Sequence, residues 1–315
     1  MTAVVKTPAS SANLGPGFDV LGLALTLYDT ISLVPGRAGL TLTVSGEGRG
    51  KLDRSPEGNL AVRAVKAVYA EIGAEPPAID IHMDNAIPLS RGLGSSAAAI
   101  VGALTAASAF SGADLNRDRL FALAVELEGH ADNVAAAVYG GLTISFKQGD
   151  TFNVRRSLPA ANIGVALLLP EAGLSTAKAR AALPEETPRA NAVFNIGRTA
   201  LLVEALLSGD LDCLAAAVED ALHQPWRRGL IPDYNVTEYA CYQAGARGVA
   251  LSGAGPSLIA FYDKKDETAF KAALAKEVES AGIQRLAIWP DIDVDGAVVA
   301  TCLEARPKTP WAGQN

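Results

Sequence analysis

The chain has 315 residues, of which 49% are hydrophobic, and a formal net charge of −7 at pH 7. This length predicts two domains with sizeable cores, and the acidic balance argues against a general binder of nucleic acid or acidic membranes. The three cysteines are far apart and odd in number, which suits a reducing compartment and gives no metal-binding spacing. The N-terminus lacks an apolar signal core and no apolar run reaches the roughly 18 residues of a membrane span, so we expect a soluble cytoplasmic protein.

The first quarter of the chain predicts strands around a polar loop. The loop Pro8–Asp19 is rich in Ser, Gly and Pro. Its Asn13 and Asp19 could line a site, or could simply bond their own backbone as turn residues. Asn59 is predicted to cap a helix over Leu60–Ile72. Strands are predicted at Ala3–Lys6, Val20–Leu27, Asp29–Val34, Leu40–Val44 and Ile79–Met83.

A glycine-rich stretch, Pro88–Ala99, leads into a small-residue run that predicts a buried helix through Phe110. Ser95 and Ser96 fall at the start of this helix, where the first backbone N–H groups lack an intrahelical partner. A glycine loop feeding a helix N-terminus is an anion site, for which phosphate is the obvious candidate. The alternative is an ordinary glycine loop that caps a core helix.

In the rest of the chain the predicted strands and helices do not alternate regularly, which favours α+β layers over a regular βαβ series. A second glycine-rich loop is Ser252–Ser257, and the tail Ala305–Asn315 is predicted to be frayed. Strands are predicted at Leu142–Phe146, Gly164–Leu169, Val249–Leu251, Leu258–Tyr262 and Ala297–Leu303. Helices are predicted at Arg117–Glu128, Ala177–Ala182 with Ser175 as N-cap, Asn191–Leu207, Leu211–Leu222, Val236–Ala244 and Lys264–Ala281.

The first glycine loop is not a Walker A motif, because no lysine follows Gly94, and it does not fit G-x-G-x-x-G. Phosphate charge would then be balanced by Mg²⁺, held by a serine hydroxyl and one carboxylate. Glu126, Glu128 and Asp132 are the candidate carboxylates, although any one of them could be a solvated surface charge. The three histidines have no spacing for a metal or a nucleophilic triad, and we interpret His130 as shaping its loop.

Three arginines in the second half could hold a carboxylate. Arg180 falls in the short helix after Thr176, and Arg227 and Arg228 fall in a predicted turn between helices. Arginine can bind a carboxylate through two hydrogen bonds, but most arginines merely solvate a surface. The residues alone leave both interpretations open.

Three glycine-bearing segments, Pro8–Asp19, Pro88–Ala98 and Ser252–Ser257, occur in the order seen in the GHMP superfamily of small-molecule kinases, which this chain resembles. The first segment and Glu128–Val134 resemble the homoserine kinase branch in particular. The resemblance implies a two-domain α+β GHMP kinase fold. It implies a ribosomal-protein-S5-like, ATP-binding domain over residues 1–160 and a ferredoxin-like domain over residues 161–315.

The resemblance also implies ATP-dependent phosphorylation of the homoserine hydroxyl, on the route to threonine. Ser96 and Glu128 would hold Mg²⁺ between the nucleotide phosphates, and Asn59 matches the position that contacts the base. The residues that the resemblance assigns to ATP are Asn59, Pro88, Ser90, Arg91, Gly92, Leu93, Gly94, Ser95, Ser96 and Ala97.

The resemblance further implies an amino-acid site, in which arginines suit the carboxylate of homoserine and Asp19 suits its ammonium group. Its residues would be Asn13, Asp19, Asn133, Thr176, Arg180 and Arg227. The catalytic group would consist of Ser96, Glu128, Asn133 and Arg227. Asn133 stands where many relatives place a basic aspartate, so we predict phosphoryl transfer without a dedicated strong base.

Two other functions stay open at this stage. One is another GHMP-type kinase acting on a small alcohol, and the other is a non-catalytic ligand sensor on the same fold. A Rossmann-type oxidoreductase is excluded, because its fingerprint is missing. We expect no nucleic-acid or membrane partner, and a homodimer is possible.

Overall fold

The computed structural model describes residues 2–53, 55 and 58–303. Its strands form a seven-stranded and a four-stranded sheet. The strands are β1 (Thr2–Asn13), β2 (Gly17–Pro35), β3 (Leu40–Gly46), β4 (Ile79–Asn85), β5 (Leu142–Gln148), β6 (Thr151–Ser157), β7 (Ile163–Pro170), β8 (Gly248–Leu251), β9 (Leu258–Asp263), β10 (Arg285–Ile288) and β11 (Val298–Leu303).

Helices pack on the faces of both sheets, and a 3₁₀ turn at residues 264–266 precedes the last of them. The α-helices are α1 (Leu60–Glu71), α2 (Ser95–Ser111), α3 (Arg117–Glu128), α4 (Asp132–Tyr139), α5 (Thr176–Ala181), α6 (Arg189–Ser208), α7 (Leu214–Ala217), α8 (Gln224–Arg228), α9 (Tyr234–Ala244) and α10 (Glu267–Ser280).

The first sheet is organised around β2, which is one strand of 19 residues rather than the two shorter strands predicted. Its length lets it pair with three other strands. It runs antiparallel to β1, its later part pairs with β4, and its early part pairs with β5. One face of the sheet is apolar, as the row Val5, Ile31 and Met83 illustrates. This face packs against α1 to α4 and forms the first core.

Helices α2 and α3 follow one another closely along the chain and pack together. Asn59 caps α1 through its side-chain oxygen, which accepts from the backbone N–H of Ala61 and Val62, as predicted. Helix α3 ends at Gly129, whose φ of 90° closes the helix in the left-handed region. Residues after α3 therefore turn back toward the start of α2.

The second sheet has the strand order β10–β7–β9–β8, and all of its pairs are antiparallel. Along the chain the elements run β7, helices, β8, β9, α10 and β10, which is the βαββαβ pattern of a ferredoxin-like domain. One face of this sheet packs on α9 and α10. The predicted fold class is confirmed, since a ferredoxin-like layer follows an α+β domain.

The two sheets share a core. Leu21, Leu23 and Leu142 of the first sheet pack with Leu167 and Phe261 of the second. In addition, β11 returns to the first sheet and pairs antiparallel with β1. The last strand of the predicted second domain therefore completes the first sheet, while the boundary at residue 160 stays a prediction.

The predicted helix over Leu211–Leu222 is wrong, because within this range only Leu214–Ala217 is α-helical. The Asp220 carboxylate explains the interruption. It accepts hydrogen bonds from the backbone N–H groups of residues 222 to 224, which competes with helical pairing. The predicted turn at Arg227 and Arg228 is also wrong, since both residues belong to α8.

Some predicted segments differ in other ways. Strands β6 and β10 carry no clear apolar alternation and were not predicted. The tail Ala305–Asn315 lies outside the described residues. Within the described part of the chain, α6 is long and apolar enough to cross a membrane by length and composition alone. Its Leu202, Ala205 and Leu206 are buried in the shared core, whereas Val193, Phe194 and Ile196 near its start are exposed.

Candidate active site

A cleft of about 440 Å³ opens where the glycine loop, the β1–β2 turn and α5 meet. The elements of both halves of the molecule contribute to its walls, so the cleft depends on their packing through the shared core. Every residue that the family resemblance assigns to the site lines this cleft, except Ala97, which is fully buried behind the loop. The candidates Glu126 and Arg228 do not line it.

The glycine loop is shaped by close backbone approaches that only glycine permits. Gly92 has a φ of 72°, and a Cβ there would lie 2.1 Å from the carbonyl oxygen of Ser252. Gly94 has a φ of 67°, and a Cβ there would lie 2.0 Å from Ser10 Oγ. The loop is therefore pressed against both the second glycine-rich loop and β1.

Helix α2 begins at the end of this loop, with Gly94 as its N-cap and no side chain bonded to its first N–H groups. The first hydrogen bond of the helix runs from the Ala98 N–H to the Gly94 carbonyl oxygen. The backbone N–H groups of Ser95, Ser96 and Ala97 therefore have no acceptor within the helix. These free N–H groups and the helix dipole favour an anion at this end of the cleft.

Ser96 Oγ donates a hydrogen bond to Glu128 Oε1. The contact follows from the packing of α2 on α3, which places the first turn of one helix beside the last turn of the other. A hydroxyl and a carboxylate beside an anion site are the hard oxygen ligands that suit Mg²⁺. The described residues contain no cluster of three or more His, Cys, Asp or Glu that could hold a metal, so any such ion would depend on phosphate oxygens as well.

A chain of hydrogen bonds fixes Asn133 beside the glycine loop. Asn133 Oδ1 accepts from Ser10 Oγ at 2.9 Å, and the backbone N–H of Asn133 donates to Asp132 Oδ1 at 2.8 Å. His130 Nδ1 lies 2.8 Å from the same carboxylate oxygen, and this hydrogen bond raises the pKa of His130. The loop-shaping role of His130 stays a prediction, and this contact with Asp132 is compatible with it. Nothing in the sequence near Ser10 distinguished it from its serine neighbour.

Arg180 and Asp19 meet across the opposite end of the cleft. Arg180 Nη1 lies 2.9 Å from Asp19 Oδ2, and Nη2 lies 2.7 Å from Oδ1. Phe18 lies under both Arg180 and Arg227, with its ring centroid 5.8 Å and 5.3 Å from the two Cζ atoms. Asp19 itself has a φ of 56°, which turns its side chain out of the line of β2.

Arg227 is 1% exposed, yet no carboxylate of the described residues lies within ion-pair distance of it. Its guanidinium donates to His223 Nδ1 at 3.1 Å and, at 3.4 and 3.5 Å, to the carbonyl oxygens of Ala179 and Gly253. Burial, and then the nearby charge of Arg180, lower the pKa of Arg227 to about 10. The charges of Asp19, Asp220 and Asp132 oppose this lowering from a greater distance. A buried cation without a direct ion pair on the wall of a cleft favours an anionic ligand.

Several predicted residues use their side chains to build the site. Asn13 donates to the Gly253 carbonyl at 2.8 Å and accepts from the backbone N–H of Asp19 at 2.9 Å. The Arg91 guanidinium donates to the carbonyl oxygens of Leu89, Pro170 and Glu171 and so ties the loop to the end of β7. Two further members, Asn59 through its helix cap and Thr176 at the start of α5, also line the cleft.

The far end of the cleft was missed by sequence reasoning. Leu52, Leu60, Met83 and Asn85 line it together with the predicted Asn59. These residues come from a loop, from α1 and from the end of β4. Their sequence signal is ordinary strand and helix periodicity, which predicts burial but not a ligand. An apolar end beyond the anion site suits a flat apolar group such as a nucleobase.

Known proteins resemble this chain over most of its length. The family model for the GHMP kinases N terminal domain matches residues 59–141, and the model for GHMP kinases C terminal matches residues 202–280. A homoserine kinase from Moorella thermoacetica is 42% identical over 90% of this chain and 96% of its own length. This chain is a GHMP kinase of the homoserine kinase family.

Solved structures agree with that membership. The crystal structure of homoserine kinase from Cytophaga hutchinsonii matches this chain with a TM-score of 0.86 and 29% identity, and the match covers 95% of this chain and 97% of that one. The Leishmania major mevalonate kinase structure, with a TM-score of 0.69 and 18% identity, shares the fold alone. The glycine loop and helix α2 fall within the matched N-terminal family region.

Proposed function

We propose that this GHMP kinase transfers the γ-phosphoryl group of ATP to the side-chain hydroxyl of L-homoserine. The observation that carries the proposal is the two-ended cleft. One end has free helix N–H groups with Ser96 and Glu128, and the other has Asp19, Arg180 and the buried Arg227. Homoserine is a zwitterion with a terminal hydroxyl, so it can place charges at the second end and its hydroxyl toward the first.

In this proposal the nucleotide phosphates bind the N-terminus of α2, and the base occupies the apolar end near Met83. Ser96 Oγ and Glu128 Oε1 would hold Mg²⁺, and a bound Mg²⁺ would supply positive charge beside the nucleotide phosphates. The N–H groups of α2 donate to phosphate oxygens without having to reorganise during the reaction. Arg91 acts indirectly, because its hydrogen bonds hold the glycine loop against the end of β7.

The carboxylate of homoserine would be held by Arg180 and Arg227, and its ammonium group by Asp19. Arg227 contributes most, because it is buried and no carboxylate of the described residues lies at ion-pair distance from it. Binding would exchange the Asp19–Arg180 ion pair for two ion pairs with the ligand. That exchange favours a ligand carrying both charges over a neutral alcohol.

The hydroxyl would lie near Asn133, whose amide oxygen is 2.9 Å from Ser10 Oγ. An amide does not accept a proton at neutral pH, so Asn133 can align the hydroxyl but cannot act as a strong base. Asp132, the neighbouring carboxylate, already accepts from His130 and from the backbone of Asn133. The hydroxyl would therefore lose its proton late, to the transferred phosphate, as a loose transition state allows.

The decisive experiment measures ADP release by the purified chain with Mg²⁺ and ATP, over a panel of homoserine, mevalonate, galactose and threonine. Homoserine should give the highest kcat/KM, with O-phosphohomoserine as the product. A higher kcat/KM for another alcohol would assign the chain to another GHMP-type kinase, and binding of homoserine without turnover would indicate a ligand sensor. Either result would overturn the proposal.

A further inference from the structure

The His223 side chain is fully buried beside Arg227 and has no part in the mechanism described so far. Its Nδ1 lies 3.1 Å from Arg227 Nη1, and its Nε2 lies 2.7 Å from the carbonyl oxygen of Gly15. A carbonyl can only accept and a guanidinium can only donate. These two partners therefore assign the imidazole hydrogen to Nε2 and leave Nδ1 as an acceptor.

The imidazole is held in its neutral form. Burial, assisted by the Arg227 charge and opposed by Asp220, lowers the pKa of His223 to about 4. The Asp220 carboxylate lies 3.6 Å from Nε2, but it accepts hydrogen bonds from three backbone N–H groups and from Asn195 Nδ2. Asp220 thus fixes the backbone at residue 223 without becoming a direct partner of the arginine.

A neutral acceptor suits an arginine that must bind a ligand. The contact with His223 is shorter than those of Arg227 with Ala179 and Gly253, so it does most to fix the direction of the guanidinium. An internal carboxylate in its place would also neutralise the guanidinium and compete with an anionic ligand. Histidine in the Nε2–H form orients the cation and leaves its charge available.

The same imidazole connects the arginine to the other side of the cleft. Gly15 lies in the turn between β1 and β2, between Asn13 and Asp19. A Cβ at Gly15 would lie 2.3 Å from the carbonyl oxygen of Val218, so the turn is pressed against the segment that carries His223. The ring of Phe18 stacks on His223 at a centroid distance of 5.3 Å.

We propose that His223 is a positioning residue for the amino-acid site, which fixes Arg227 and the β1–β2 turn in one arrangement through its two ring nitrogens. This inference rests on the proposed function, because it takes Arg227 as the group that binds the carboxylate of homoserine. It assigns His223 no contact with substrate. Its effect should therefore fall on homoserine binding and not on nucleotide binding.

The test compares His223→Leu with His223→Gln by steady-state kinetics, with homoserine and ATP varied in turn. Leucine removes both hydrogen bonds, so we expect the KM for homoserine to rise about 10- to 100-fold, the range for a lost hydrogen bond to a charged group. The KM for ATP should change less than about threefold. Glutamine keeps a neutral acceptor and a donor, and it should recover most of the homoserine affinity.

His82→Gln is the matched control, because His82 is an exposed histidine on β4. Thermal unfolding of each variant identifies loss of fold, and His223→Gln remains informative if His223→Leu does not fold. A His223→Gln variant with wild-type KM for both substrates supports the proposal when His223→Leu is impaired or unfolded. Equal rises in both KM values, or a wild-type homoserine KM in His223→Leu, would overturn it. Wild-type protein inactive on homoserine would instead overturn the proposed function.

Discussion

Arg180 and Asp19 satisfy each other through two hydrogen bonds, of 2.9 and 2.7 Å, across the end of the cleft where the amino-acid substrate is proposed to bind. They come from different halves of the molecule, α5 and β2. The pair therefore mimics the two charges of a zwitterion before any ligand is present. A ligand with only one of those charges would leave either the cation or the carboxylate without a partner.

Substrate analogues should reveal this pairing. We expect 4-hydroxybutyrate, which lacks the amino group, and 3-aminopropan-1-ol, which lacks the carboxylate, to have kcat/KM values about 100-fold or more below that of homoserine. Asp19→Asn should reduce the discrimination against 4-hydroxybutyrate to about tenfold. Asp53→Asn, at the other end of the cleft, should leave that discrimination unchanged. The interpretation fails if both variants discriminate like the wild type.

The Ser96–Glu128 contact predicts which carboxylate would hold the proposed Mg²⁺. Glu128→Gln should lower kcat about 10- to 100-fold and shift the Mg²⁺ dependence to higher concentrations, because it removes a charged oxygen ligand. Glu126→Gln is the control, since Glu126 is exposed on the same helix. Initial rates over a Mg²⁺ titration decide the question, and a stronger defect in Glu126→Gln would reassign the metal role.

The two glycines that flank α2 allow a matched comparison. Gly94 and Gly112 have φ values of 67° and 75°, but a Cβ at Gly94 would clash with Ser10 Oγ while a Cβ at Gly112 would meet nothing within 4 Å. We expect Gly112→Ala to cost about 1–2 kcal/mol of unfolding free energy and to keep kcat. Gly94→Ala should lower kcat about 100-fold, because the loop and Asn133 must shift. Similar kcat values in the two variants would contradict the proposed alignment.

A buried carboxylate under the glycine loop predicts a pH-dependent stability. Asp29 Oδ1 accepts hydrogen bonds from the backbone N–H groups of Ala86 and Ile87. Asp29 Oδ2 has no hydrogen-bond partner among the described residues. The same is true of Asn85 Oδ1 and of Thr7 Oγ1, whose residue pairs with Asp29 across β1 and β2. Burial raises the pKa of Asp29 to about 6. The folded state thus holds the proton more tightly than the unfolded state, and this group favours folding most at low pH.

The contribution of Asp29 to the free energy of unfolding should decline as the pH rises from about 4 to 6 and then stay constant, and the total decline should be roughly 3 kcal/mol. Asp29→Asn should abolish this slope, because an amide does not titrate in this range, and its Oδ1 keeps an acceptor for the N–H groups of Ala86 and Ile87. Urea unfolding at pH 4 to 8 measures the effect. Asp150→Asn, at an exposed carboxylate in the turn between β5 and β6, should retain the wild-type slope, and an unchanged slope in Asp29→Asn would refute the assignment.

The features that the sequence predicted well are local. The Asn59 cap, the start of α2 at Ser95 and the Ser175 cap each depend on a few consecutive residues, and all three are confirmed. The glycine loop is similar, because close approach and positive φ both require glycine. Family resemblance, rather than spacing, brought Arg180 and Arg227 into the site.

Long-range contacts account for what the sequence could not supply. The helix predicted over Leu211–Leu222 is interrupted because Asp220 binds backbone N–H groups, and Asn195 of α6 helps to hold that carboxylate. The proposed role of His223 depends on Gly15, which lies 208 residues earlier in the chain. Met83 and Asn85 look like ordinary strand residues until β4 is placed beside α1 and the loop.

The pairing of β1 with β11 brings Thr2 opposite Leu303, so the two ends of the described chain are neighbours in one sheet. During synthesis the sheet that supports the glycine loop cannot be completed until β11 leaves the ribosome. We therefore expect the half that is made first to finish folding last. A fragment ending at residue 290 should be digested by protease in its first 160 residues much faster than the full chain, and equal resistance would disprove this order of folding.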